Sequence, residues 1–87
     1  MDAVASERHA AIRQYMQDAF LFEFGDEVND DTNLFEGGLI DSYGLVEFIA
    51  HLEQTYGIKF SEHDYTSPQL VSYRGIIGMV EAKLTPA

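Results

Sequence analysis

Apolar residues recur at helical spacing in three stretches of this chain, which begin near Ser6, Ser42 and Ser72. Within each stretch they fall three or four residues apart and therefore share one face of a helix. The inward positions are Ile12, Tyr15, Met16, Ala19 and Phe20 in the first stretch, Leu45, Phe48, Ile49, Leu52 and Tyr56 in the second, and Ile76, Ile77, Val80 and Leu84 in the last. No stretch of convincing length alternates as a strand does. The chain is therefore predicted to be all-α.

Capping residues set the expected boundaries of these helices. The first helix is expected over Ser6–Phe20, with Ser6 as its N-cap, and the second over Ser42–Tyr56, closed by Gly57. A serine followed by proline opens a short third helix at Ser67–Val71, and Ser72 caps the last helix, which ends near Leu84. The predicted fold is a small four-helix bundle with three longer helices, one short third helix and a long loop between the first two. It forms a single domain over residues 1–87.

Two glycines, Gly75 and Gly78, lie inside the predicted last helix. Each costs about 1 kcal/mol relative to alanine in a helix interior. One interpretation is that they let another element or a bound chain approach the backbone closely. The other is that they are incidental in a marginal helix, and the sequence leaves both open.

The connection between the first two helices is long and acidic. Residues 23–41 carry no Lys or Arg but contain Glu23, Asp26, Glu27, Asp30, Asp31, Glu36 and Asp41. Its apolar residues are expected to pin it to the core: Phe22, Phe24, Val28, Leu34, Phe35, Leu39 and Ile40. A loop of this length in so small a domain is usually functional.

The predicted second helix also carries apolar residues on its polar side. Tyr43, Val46 and Ala50 lie there, with Glu47 on the same stripe and Glu53 beside it. Apolar residues bordered by acids on an outward face are typical of a surface that docks a partner. Single exposed apolar residues are also ordinary on protein surfaces, which is the alternative interpretation.

Composition narrows the classes of protein that fit. The 87 residues carry a formal net charge of −10, and they include no cysteine. Disulfides and thiolate metal sites are excluded, and a strongly negative surface disfavours nucleic acid and favours basic protein partners. Acidity that serves only solubility remains the alternative. The chain shows no apolar run long enough to span a membrane, and its first residues do not resemble a secretory signal, so we expect a cytoplasmic protein.

Ser42 stands out among the candidate functional residues because it opens a strong amphipathic helix directly after Gly38-Leu39-Ile40-Asp41. The N-terminus of a helix favours a phosphate ester, since unpaired N–H groups and a partial positive charge face it. No nucleophile elbow, phosphate-binding loop or zinc motif accompanies it, and His9, His51 and His63 are scattered. The acid-rich segment 26–33 lacks the pattern of an EF-hand loop. We therefore expect a serine that is modified in a protein that is not an enzyme.

These residues resemble the acyl carrier protein family. The resemblance rests on Leu34-Phe35-Glu36, then Gly38-Leu39-Ile40-Asp41-Ser42, then Leu45-Val46-Glu47 and Leu52-Glu53. It runs without gaps from about Leu34 to Phe60 and covers the rest of the chain more loosely. An Asp-Ser dipeptide alone carries no weight, but together with the upstream glycine, the long acidic loop and the following helix it is specific.

The resemblance implies that Ser42 carries 4′-phosphopantetheine, transferred from coenzyme A by a phosphopantetheinyl transferase. The thiol of this arm would hold acyl or aminoacyl groups as thioesters for a ligase or synthase and for downstream transferases, with the protein acting as a monomer. Asp41 would help to dock the transferase, and the partner-binding helix would present Tyr43, Val46, Glu47, Ala50 and Glu53.

The chain departs from the family pattern at Tyr43, usually an aliphatic residue, at Gly44, usually polar, and at Lys59, often an acid. These departures favour a specialised carrier of an amino acid, a hydroxy acid or a polyketide extender unit. They disfavour the housekeeping carrier of fatty acid synthesis. The aromatic side chains at inward positions likewise predict a short or polar cargo. The remaining alternative is an unmodified acidic helical adaptor in which Ser42 serves only as an N-cap.

Overall fold

The computed structural model describes residues 3–25 and 28–84, and every regular element in these ranges is helical. Helix α1 spans Ala3–Phe20, α2 Ser42–Tyr56, α3 Glu62–Tyr65 and α4 Tyr73–Leu84, with a 3-10 helix at Pro68–Val71 between the last two. The prediction of an all-helical chain is confirmed. Asp26, Glu27 and Pro86, together with the first two residues, lie outside the described ranges. No helix in the described ranges is long and apolar enough to cross a membrane.

The helices of the structure differ from the predicted ones in two respects. Helix α1 begins at Ala3, so Ser6 lies inside it and the prediction that Ser6 is its N-cap is wrong. Alanine is the strongest helix former, and the segment from Ala3 to Ala5 extends the helix upstream of the serine. Helix α3 was not predicted. It forms because Ser61 and Asp64 make a capping box, in which each side chain accepts a hydrogen bond from the other residue's N–H.

The core draws on the three long helices, the 3-10 helix and the connections between the elements, while α3 contributes no buried residue. Its buried residues are Ile12 and Met16 from α1, Leu34 and Ile40 from the long loop, Leu45, Phe48, Ile49 and Leu52 from α2, Ile58 and Phe60 from the link to α3, Leu70 from the 3-10 helix, and Tyr73, Ile76, Met79 and Val80 from α4. The face predicted for α2 is confirmed at four of its five positions, and Tyr56 is half-buried. Ala19 is exposed, so its predicted core position is wrong.

Helix α1 contacts both of the other long helices. The Tyr15 and Phe20 rings lie 5.5 and 5.9 Å from the Phe48 ring of α2, the second of them edge-on. Near the start of α1, Arg8 holds Glu81 of α4 through two hydrogen bonds of 2.6 and 2.7 Å. These contacts fix the end of α1 beside the start of α2.

The long loop is held by charge pairs as well as by its apolar residues. Arg13 binds Asp30 at 2.7 Å, and Arg74 binds the neighbouring Asp31 at 2.6 Å. The N–H of Leu34, which is fully buried, donates to the carbonyl of Val71 at 2.7 Å. Two of the loop's acids are therefore used within the chain and do not face a partner as free charges.

The two glycines of α4 have different surroundings, which answers the question that the sequence left open. A Cβ at Gly75 would overlap the backbone carbonyl of Gln69, whereas a Cβ at Gly78 would meet no atom within 4 Å. Gly75 thus permits the close approach of the 3-10 helix to α4. Gly78 serves no such contact.

Candidate attachment site

The start of α2 is capped by Asp41, and not by Ser42. The Asp41 backbone is extended, its Oδ1 accepts a hydrogen bond from the N–H of Gly44 at 2.7 Å, and its carbonyl accepts one from Leu45 at 3.0 Å. Ser42 is therefore the first residue of the helix, and its side chain is exposed. Because Asp41 supplies the cap, the Ser42 hydroxyl is not needed for it.

A tight turn presents these two residues at the surface. Gly38 adopts a positive φ of 73°, and the N–H groups of Leu39 and Ile40 both donate to the carbonyl of Leu34, at 3.0 and 3.2 Å. Leu34 and Ile40 are buried, so they anchor the turn in the core. The chain then emerges at Asp41, and the first turn of α2 faces solvent.

The site combines a helix N-terminus, which favours a phosphate at Ser42, with an acidic surface around it. Four of the five Lys and Arg side chains make ion pairs elsewhere, with Glu81, Asp30, Asp31 and Asp64. No Lys or Arg in the described ranges forms an ion pair with Asp41 or Glu47, and both acids are exposed. The helix N-terminus offers a small region of positive potential within this acidic surface.

The outward face of α2 brings together most of the residues that the sequence assigned to it. Tyr43 and Val46 are 74% and 53% exposed, and Glu47 lies between them. The Glu47 carboxylate beside the Tyr43 hydroxyl raises the pKa of Tyr43. Ala50 continues this face but is half-buried.

Glu53 occupies a different environment from Glu47. It is half-buried, and its Oε2 accepts a hydrogen bond from the N–H of Phe60 at 2.8 Å. This bond fastens the link after α2 to the helix. A change at Glu53 would therefore disturb the fold as well as the surface.

A cleft lies directly beside Ser42, between the end of α1 and the start of α2. We call it the α1–α2 cleft; it measures about 280 Å³ and is lined by Tyr15, Ala19, Phe20, Gly38, Leu39, Asp41, Tyr43, Gly44 and Glu47. A Cβ at Gly44 would lie 3.0 Å from Cε1 of Phe20 and 3.2 Å from Oδ1 of Asp41. Gly44 departs from the family pattern, but its contact with Phe20 could not be predicted from the sequence, because no periodic pattern links residues that far apart.

The histidines do not assemble into a site. His51 stacks on Tyr15 with ring centroids 3.9 Å apart, and His9 lies 3.4 Å from the Glu81 carboxylate. Across the described ranges, no group of three or more His, Asp or Glu side chains is arranged to hold a metal ion.

The chain is similar in sequence to a known family and to a known carrier protein. Residues 11–73 match the PP-binding family, described as a phosphopantetheine attachment site. The chain is also 34% identical over 55 residues to a D-alanyl carrier protein of Lacticaseibacillus casei (strain BL23), covering 63% of this chain and 68% of that protein. The chain therefore belongs to the phosphopantetheine-dependent carrier proteins, which are not themselves catalytic.

The cofactor of this family is covalently attached 4′-phosphopantetheine, which a phosphopantetheinyl transferase supplies and which ligases load. Three features of the structure fit this group. Ser42 offers an exposed hydroxyl, the helix N-terminus favours the phosphate, and a cleft adjoins the serine.

Proposed function

We propose that Ser42 is the residue that carries 4′-phosphopantetheine and that the protein presents small acyl or aminoacyl thioesters to partner enzymes. The observation that carries this proposal is the division of roles at the start of α2, where Asp41 caps the helix and Ser42 keeps a free, exposed hydroxyl. Ser42 also lies within the segment that matches the family.

The transfer of phosphopantetheine requires little of this chain beyond the correct position of the Ser42 hydroxyl. The Ser42 oxygen forms a bond to the phosphorus next to pantetheine in coenzyme A, the pyrophosphate bond breaks, and 3′,5′-ADP leaves. The hydroxyl proton passes to a base on the transferase. This chain contributes the exposed nucleophile and a helix N-terminus that favours the new phosphodiester. The attached arm supplies a thiol, which holds the cargo as a thioester.

We propose a small cargo, with an amino acid first, a hydroxy acid or a polyketide extender unit next, and a long fatty acyl group last. The similarity to a D-alanyl carrier protein supports an aminoacyl group. Large side chains also fill the core beneath α2, where Phe48 is fully buried against Tyr15 and Phe20. Bulky rings leave less adaptable space for a long chain than aliphatic residues would.

The outward face of α2 is proposed to dock the transferase and the ligase or synthase that loads the cargo. Asp41, Tyr43, Val46 and Glu47 would make the main contacts, with Ala50 and Glu53 at its edge. Because the donor of the arm is coenzyme A, we place the protein in the cytoplasm, as a monomeric four-helix bundle. Docking on this face should weaken as salt concentration rises, since exposed charges are screened over about 8–10 Å.

The intact mass of the protein tests this function. We expect the protein, incubated with coenzyme A and a broad-specificity phosphopantetheinyl transferase, to gain the mass of one phosphopantetheine group. Protein isolated from its native cells should carry further mass that hydroxylamine releases, because hydroxylamine cleaves thioesters. A released amino acid would support the proposed cargo, a long fatty acid would contradict it, and an unchanged mass would favour the unmodified adaptor.

A further inference from the structure

The α1–α2 cleft has no role in the function proposed so far, although two of its lining residues, Asp41 and Tyr43, are the neighbours of Ser42. Building on the attachment at Ser42, we propose that this cleft holds the part of the phosphopantetheine arm nearest the phosphate when no enzyme is bound. The arm would then lie along the end of α1, with its phosphate at the N-terminus of α2.

Small residues create the space that the arm needs. Ala19 contributes only a methyl group to the lining, and Gly44 lets the Phe20 ring lie close against α2, since a Cβ there would be 3.0 Å from that ring. At Gly38 a Cβ would meet no atom within 4 Å. The cleft is thus open where α1, the turn and α2 meet, at the point from which a group on Ser42 would leave the helix.

The lining matches the chemistry of the arm. After its phosphate, the arm has a methylene group, a carbon with two methyl groups, a carbon with a hydroxyl, and then amide groups. The rings of Phe20 and Tyr43 and the side chain of Leu39 offer apolar contacts for the methyl groups. Asp41 uses Oδ1 for the helix cap, so its second oxygen and the Glu47 carboxylate are available to accept hydrogen bonds from the hydroxyl and the amides.

The reach and volume are also suitable. Glu47 lies five residues beyond Ser42, or about 7.5 Å of helix rise, which is shorter than the extended arm. Small-molecule sites usually measure about 300–1,000 Å³, and the cleft, at about 280 Å³, falls just below that range. It can hold part of the arm but not the arm together with a long acyl chain, so the thioester end would remain outside. Tyr43 and Glu47 also belong to the docking face, so a bound enzyme would compete with the arm for them.

Nuclear magnetic resonance on the apo and pantetheinylated forms tests this inference. We expect nuclear Overhauser contacts between the methyl groups of the arm and the Phe20 ring, and shifts at the amides of Ala19, Leu39 and Gly44. Ala19→Leu should fill the cleft and abolish these contacts. Ala10→Leu, at another exposed alanine of α1 that does not line the cleft, should preserve them.

Intact mass and circular dichroism are measured on the same samples. If the mass shows the attached group but only residues 41–43 respond, the arm extends into solvent and the inference is wrong. Contacts that persist in Ala19→Leu would contradict it as well. If no mass is gained, the proposed attachment fails, and not the cleft. Should Ala19→Leu lose its helical signal, the contacts in the unsubstituted protein still decide the question.

Discussion

Two neighbouring residues at the start of α2 have separate tasks. Asp41 satisfies the N–H of Gly44 and accepts from Leu45, and Ser42 is left exposed at the first helical position. Serine and aspartate are equally good N-caps, so their order in the sequence could not show which of the two would cap the helix. The backbone of Asp41, which is extended with a ψ of 176°, identifies it as the cap.

Substitution at Asp41 should separate capping from docking. Asparagine caps about as well as aspartate, whereas alanine costs about 1 kcal/mol. We therefore expect Asp41→Asn to keep the free energy of unfolding within about 0.5 kcal/mol and Asp41→Ala to lower it by about 1 kcal/mol. Both should slow modification by the transferase, because both remove the charge. Urea denaturation measures the change in stability, and the rate of mass gain measures modification. A normal rate for Asp41→Asn would show that the charge of Asp41 does not contribute to docking.

Glu47 is the acid on which docking should depend most. It is exposed beside Tyr43 and makes no ion pair with a Lys or Arg of the described ranges. We expect Glu47→Lys to weaken binding of the transferase by about 3- to 10-fold at low salt, since exposed charge pairs contribute up to about 1 kcal/mol and reversal adds repulsion. Fluorescence anisotropy with a labelled transferase would measure the dissociation constant.

The matched control is Glu7→Lys. Glu7 is an exposed acid on α1 and is distant in sequence from α2. Glu53 and Glu81 are poor choices, because the first accepts from Phe60 and the second binds Arg8. If the reversals at Glu47 and Glu7 changed the dissociation constant equally, binding would depend on the overall acidity of the surface and not on a specific docking face.

At the scale of elements, the sequence predicted what depends on local pattern. Four of the five inward residues of α2 are buried as expected, and the closing Gly57 and the opening Ser67–Pro68 also occupy the expected positions. Helix α3 has only four residues, too few to show a periodic pattern, and its capping box at Ser61 was the one available signal. The burial of Tyr73 and Met79 depends on how α4 is rotated against α1, where the Tyr73 hydroxyl donates to the carbonyl of His9. The spacing of apolar residues along the chain does not determine tertiary packing of this kind.

The two glycines of α4 provide a matched pair for stability. Gly75→Ala should lower the free energy of unfolding by about 1–3 kcal/mol, because its Cβ would force the 3-10 helix away from α4. Gly78→Ala should raise it by up to about 1 kcal/mol, since its surroundings are open and alanine favours the helix. Urea denaturation of both variants measures the difference, and changes of the same sign would contradict the close approach at Gly75.

The ion pair between Asp64 and Lys83 joins α3 to α4 at 2.7 Å. The hydrogen bond from Lys83, followed by that from the Ser61 backbone, lowers the pKa of Asp64 below its ordinary value. A carboxylate whose pKa is lowered by folding stabilises the protein fully above its unfolded value, near about pH 4. This contribution is lost as the pH falls through the folded pKa.

Asp64→Asn should therefore be less stable than the unsubstituted protein at pH 7, by about 1 kcal/mol, and the gap should narrow below about pH 4. Thermal denaturation between pH 7 and pH 3 measures it. A gap that stays constant across this range would assign the effect to packing and not to charge.

Over the whole molecule, charge is distributed unevenly. The arginines and Lys83 pair with acids of the loop, α3 and α4, and the surface around Ser42 keeps its negative charge. The sequence predicted the sign of this surface, but not that Asp30 and Asp31 would be occupied by Arg13 and Arg74. It also could not place Phe20 against Gly44, 24 positions away, and so could not predict the α1–α2 cleft. Both features depend on contacts between residues that are distant in the chain.

Localising the modification by fragmentation mass spectrometry tests the proposal for Ser42 most directly. The chain has five serines, of which Ser61, Ser67 and Ser72 act as caps and Ser6 lies within α1. After incubation with coenzyme A and a transferase, we expect one phosphopantetheine group on the peptide that contains Ser42, and none on Ser42→Ala. The alanine variant should remain helical, because Asp41 still caps α2. A group found on another serine, or one retained by Ser42→Ala, would contradict the proposal.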